Sequence, residues 1–164
     1  MKEIYTDFTN YNLWANKKMV DFYLSQPMEM MDQMVENSFP SARLTFLHIW
    51  DAENIWLERL KGNPTTSFPS KNFTGTAEEG LKLVVSNSVA LRDFVKAQKG
   101  SFFEQKNTYQ NTKGELHSQL NREILHHVCN HSTYHRGQLL MMARQLELKN
   151  MPSTDYIFFL REKE

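Results

Sequence analysis

His127, His131 and His135 follow one another at intervals of four, with His126 beside the first, in the run His127-Val128-Cys129-Asn130-His131-Ser132-Thr133-Tyr134-His135-Arg136-Gly137-Gln138. Around them Ile124, Val128, Leu139, Met142 and Leu146 recur at helical steps, so the run reads as an amphipathic helix. Side chains four apart on a helix lie one above the other. The three imidazoles therefore form a ladder on the inward stripe, drifting about 40° per rung at ~100° per residue. A buried polar ring without a partner costs about 1–3 kcal/mol. A divalent metal ion satisfies such rings, and two histidines at i and i+4 are a known grip for one. The competing reading is of core or capping histidines bonded to backbone or carboxylate. Neighbouring rungs rise ~6 Å and the outer pair ~12 Å, so one ion on a regular helix takes His127 with His131, or His131 with His135. Further ligands must come from another segment.

That segment is the one containing His48. Leu44, His48, Ala52 and Ile55 mark one stripe of a helix expected from Pro40-Ser41, with Ser41 as N-cap, to Gly62 as the residue past its end. Phe46, Ile49, Trp50, Trp56 and Leu57 make it apolar on more than one face, so it is either central or partly covered by another subunit. His48 sits mid-helix and is the natural external ligand. Asp51 and Glu53 follow it and are candidates to orient a ligand ring or act as bases, with Glu53 read as an exposed ion-pair partner. Cys129, two residues from His131, points off the ligand face as a buried structural thiol.

The remaining elements complete an all-α four-helix bundle with long connections. A first helix runs from about Tyr5 to Ser25, stopped by Pro27, with Phe8, Tyr11, Ala15, Met19 and Phe22 inward. Met28 to Met34 is a connector. Asn63 to Gly75, with Pro64 and Pro69, is a long loop bordering the mouth of the site. Thr76-Ala77-Glu78-Glu79 is a capping box that opens a third helix ending by Gly100. Phe102 to Gln119 breaks the pattern: with Asn111-Thr112-Lys113-Gly114 as turn chemistry, it is a short hairpin or an extended crossover. Asn121 is the expected cap of the histidine helix, which runs to about Glu147. Ser153 caps a short last helix whose Tyr156, Phe159 and Leu160 dock on the bundle. Gly137 inside a helix costs ~1 kcal/mol against alanine, which implies close approach of a neighbouring helix.

Residues 1–164 are expected to form one domain. Lys plus Arg and Asp plus Glu both number 19, leaving no net charge. That opposes a nucleic-acid binder, which usually carries a basic face. The single cysteine allows no internal disulfide and fits a reducing compartment. The sequence has no signal-like start and no bilayer-length apolar run, so a cytoplasmic protein without a membrane partner is expected.

The run Asn130 to Gln138 resembles the signature of the DinB-like (DinB/YfiT) superfamily of bacterial four-helix-bundle proteins. Tyr11-Asn12-Leu13-Trp14-Ala15-Asn16 is similar to that family's first helix, and Leu47-His48-Ile49 with Ala52-Glu53 and Trp56-Leu57 to its second. Arg144-Gln145-Leu146 and Pro152 to Leu160 are similar to its ending. The resemblance implies a metal site of His48, His131 and His135. It leaves His127 as a residue supporting the ligands or lining a pocket. Arg136 is read as tying loops together beside the site through an ion pair, with anion binding as the alternative. Three protein ligands leave a coordination position open, as in catalytic zinc sites; imidazoles suit Zn²⁺ or Ni²⁺, and Fe²⁺ as well. Relatives in the wider superfamily include transferases and isomerases that use low-molecular-weight thiols. The expected function is thus metal-dependent activation of a thiol or water against a small-molecule substrate. The rival is a non-catalytic metal-binding stress-response protein working as a homodimer, with Trp50 and Trp56 at its interface.

Overall fold

Local signals place the helices. In the computed structural model, which describes residues 1–63 and 65–163, α1 spans Lys2–Leu24, α2 Ala42–Leu60, α3 Ala77–Ala97, α4 Asn121–Gln145 and α5 Tyr156–Lys163. Pro64 of the long loop lies outside the described residues, as does the terminal Glu164. Ser41 Oγ accepts the Leu44 N–H at the start of α2, and Gly62 takes the left-handed φ of 87° just past its end. Thr76 and Glu79 exchange both bonds of a capping box on α3. At α4 the expected Asn121 cap is not used. Leu120 is the cap residue, Glu123 accepts its N–H at 3.0 Å, and Asn121 donates instead to the Phe102 carbonyl. The last helix opens at Tyr156, beyond Ser153, with the Asp155 carbonyl accepting from Phe158 and Phe159.

The segment before α4 is a hairpin rather than a crossover. Strands β1 (Lys106–Gln110) and β2 (Leu116–Leu120) pair antiparallel, Tyr109 opposite His117. Asn111 closes the turn by accepting the N–H groups of Lys113 and Glu115, and Gly114 supplies the positive φ of 82°.

α1 and α2 each pack against α3 and α4, so α1 and α2 stand at opposite corners and α2 neighbours α4. Two apolar clusters fill the bundle. One gathers Met19, Tyr23, Phe46, Ile49, Leu81, Val84, Leu139 and Met142; the other gathers Leu57, Leu60, Leu91, Val95, Ile124, Leu125 and Val128. Between them, in the order of residues along every helix, lies a belt of buried polar groups. The second apolar face of α2 is covered by the chain's own long loop: Phe73 meets Trp50 edge-on at 5.7 Å, beside the short 3₁₀ turn Pro69–Asn72 that packs on α2. α5 docks by Phe159 onto Tyr11 and Trp14. Among the described residues, no helix is long and apolar enough to cross a membrane.

Candidate metal centre

Because α2 and α4 are neighbours, the middle of one faces the middle of the other. His48 Nε2 lies 3.1 Å from His131 Nε2, and His131 Nε2 lies 3.2 Å from His135 Nε2. One nitrogen from each of the three rings falls within 4.8 Å of the other two. Around a tetrahedral ion with Zn–N bonds of 2.0–2.1 Å, ligand nitrogens sit ~3.3 Å apart. The spacing is compatible with a divalent metal, and the chemistry of the donors agrees. A single N–H on His131 Nε2 is at best shared between its two neighbours, whereas a divalent cation would engage all three lone pairs at once.

The surroundings orient the rings. His135 Nδ1 is 2.6 Å from Gln138 Oε1, which makes Nδ1 the protonated nitrogen and turns the Nε2 lone pair toward the other rings. Gln138 is itself tethered through Ser38 Oγ and Tyr134 OH. Phe39 stacks on His48 at 4.3 Å and meets His135 edge-on, closing one side of the cluster. Burial lowers the pKa of all three rings. His48 is held at about 4 by desolvation and then by His135; His131 falls to about 3 by desolvation and then by His135, His48 and His127; His135 is lowered by desolvation against the Gln138 bond, which raises it. The rings are therefore neutral at physiological pH, the state a metal requires.

These shifts set a pH dependence. A histidine whose folded pKa lies below its unfolded value of about 6.5 binds its proton more readily when the chain unfolds. The metal-free protein should lose stability as pH falls through about 6.5 toward the folded values. Urea unfolding of metal-free protein is expected to give a lower midpoint at pH 5 than at pH 7, with a smaller difference in His131→Ala. Metal retention should persist below pH 6.5, because burial lowers the proton affinity of all three rings in the folded protein.

Beside the rings opens a cleft of about 210 Å³, lined by His48, His131, His127, Trp56, Phe68 and Arg59 among others. His127 has drifted round the helix from the inward stripe to this cleft, its ring edge-on to Trp56 at 5.3 Å. Asp51 does not reach a histidine: its carboxylate accepts from the Ser70 N–H and hydroxyl, fixing the long loop to α2. Arg136 lies away from the cleft, buried among the helices. Cys129 is buried, and burial pushes its thiol up to about 12. Gly137 faces open space, where a Cβ would meet nothing within 4 Å; no neighbouring helix explains it.

The sequence reading missed the belt. Glu53 is not an exposed ion-pair partner; its side chain is fully buried. It accepts from Asn12 Nδ2 at 2.6 Å, Asn16 Nδ2 at 2.8 Å, Ser132 Oγ at 2.9 Å and Ser88 Oγ at 2.7 Å. The carbonyl ends of the same asparagines take Arg136 Nη1 at 2.9 and 2.8 Å. Each of the four long helices contributes. The one signal for this was the spacing of Asn12 and Asn16, two amides four apart on a stripe otherwise apolar.

A family model described as DinB family matches residues 1–164. Protein DinB of Bacillus subtilis (strain 168) is 28% identical over 165 residues, which span 92% of this chain and 90% of that protein.

Proposed function

The chain belongs to the DinB family, and from that premise we propose that it is a metal-dependent enzyme in which His48, His131 and His135 hold a divalent ion against a small open cleft. The observation that carries this reading is the convergence of three imidazole Nε2 atoms, two of them on rings, His48 and His131, that line that cleft. A divalent ion bound there, Zn²⁺ or Ni²⁺ above others, lowers the pKa of a thiol or water occupying its free position and so supplies a nucleophile at neutral pH. The protein's own contributions are separate. Gln138 and Phe39 set the ring orientations. Trp56 and Phe68 give the cleft apolar walls that exclude water from a small electrophile. His127 stands in the cleft, lowered in pKa by burial, and is the nearest ring outside the ligand set able to take a proton there. A site that only stored metal needs no cleft at its open side. The test compares metal-free, Zn²⁺-loaded and Ni²⁺-loaded protein on a panel of thiols with small electrophiles and a panel of hydrolysable esters and amides. Turnover that requires the metal in one panel supports the reading; no metal-dependent turnover in either would sink it.

A further inference from the structure

His48, Ala52, Ile55 and Arg59 stand along one face of α2, and all four line the same cleft. Eleven residues make three turns, so His48 and Arg59 are ~16 Å apart along the axis. The small side chain of Ala52 keeps the floor between them open. Arg59 is held with unusual firmness. Its guanidinium lies over the rings of Trp56 and Tyr109, 4.6 Å from each centroid. Nε donates to the Thr65 carbonyl at 3.3 Å, and Nη2 donates to the Gln110 carbonyl at 2.9 Å. Nη1 has no protein partner among the described residues, and Arg59 forms no ion pair there. The adjacent Glu58 is engaged by Lys61 and Asn63. Arg59 is only 5% exposed, so an almost wholly buried cation lacks a counter-charge at the far end of a cleft whose near end is the histidine cluster. Charge-assisted bonds to an oxyanion are what such a group favours.

We propose that Arg59 receives a carboxylate of the substrate, making the cleft a site for a small, elongated organic acid whose opposite end reacts at the histidine cluster. Because the guanidinium lies over Trp56, about one turn nearer the cluster, an acid has to bridge roughly two turns of α2 to reach both ends. The proposal rests on the metal-site reading above for the reacting end, while the carboxylate end stands on Arg59 itself.

The experiment uses ω-mercaptoalkanoates of increasing chain length and the matching mercaptoalcohols, titrated calorimetrically into Zn²⁺-loaded protein. The acids should bind about tenfold or more tightly than the alcohols, with one chain length best and the advantage shrinking in high salt. Arg59→Gln should bring acid and alcohol within about twofold of each other, and Arg59→Lys should keep part of the preference. Because Arg59 also fastens the long loop and the end of β1, the variants are checked by circular dichroism. The comparison of acid with alcohol in the unaltered protein needs no variant, and equal binding there overturns the proposal. If neither thiol series binds, the thiol chemistry of the cluster fails, and the carboxylate site is read separately. Hexanoate against hexanol, added to metal-free protein, should move the Arg59 Nε–H resonance with the acid alone. A resonance that moves with neither overturns the Arg59 assignment.

Discussion

His131→Ala is expected to reduce bound divalent metal from about one ion per chain to near zero after dialysis, measured by elemental analysis. His131 is the shared member of the cluster: its Nε2 is the partner of both His48 and His135. Removing it leaves only two ligands, His48 and His135, on different helices with their ring centroids 4.5 Å apart. Loss of a residue that only supports a ligand typically costs 10–100-fold in metal affinity, and loss of the shared ligand itself should exceed about 100-fold. Gln138→Leu is the graded control, since it frees the His135 ring without deleting a ligand; it should fall within that 10–100-fold range. The fold is not at stake. His131 is half-buried, and its Nδ1 is a buried atom without a hydrogen-bond partner. Metal-free His131→Ala should therefore be at least as stable as the metal-free parent in urea. Full metal retention by His131→Ala, with the protein folded, would remove the cluster from consideration as a metal centre.

What could be read without coordinates was whatever is local. The Ser41 cap, the Thr76–Glu79 box and the Asn111–Gly114 turn each depend on residues within four of one another, and each is formed as read. The histidine ladder was legible for the same reason, its spacing matching the helical repeat. Which two rungs belong together was not, because His127 with His131 and His131 with His135 are equivalent on one helix. Their difference lies in the height at which α2 meets α4, a relation between segments that Ser132 bonding Glu53 across 79 residues marks. Glu53 itself was misread because an acidic residue in a helix usually faces water. Its four donors come from three other helices, and no pattern within α2 announces them. Hairpin and crossover are equivalent within the sequence because strand pairing is a relation between segments; the Tyr109–His117 register decides it.

The second large effect is expected at Glu53. Its carboxylate gathers four donors at mid-bundle, with Arg136 held on the far side of Asn12 and Asn16. Removing one partner of a buried charged network leaves the other charge uncompensated and costs about 3–5 kcal/mol. Glu53→Ala should lower Tm by roughly 10 °C, at 2–4 °C per kcal/mol for a chain of this size. Glu53→Gln keeps the shape but turns an amide N–H₂ toward donors, and should lose less, about 1–3 kcal/mol. Arg136→Leu should destabilise as Glu53→Ala does, while the double variant should lose clearly less than the sum, because neither charge then remains unanswered. Equilibrium urea unfolding of the parent and the four variants measures all of this. The same belt holds α2 and α4 in register for the rings, so Glu53→Ala should also weaken metal binding although it touches no histidine. Excess metal then tells the two roles apart: binding to the folded state alone adds about 2.7 kcal/mol at a hundredfold excess over Kd. Glu53→Ala should recover part of its lost stability in excess Zn²⁺, and His131→Ala should gain none. If Glu53→Ala proved as stable as the parent, the belt would be a passive filling of the bundle, and the register of the two histidine-bearing helices would need another cause.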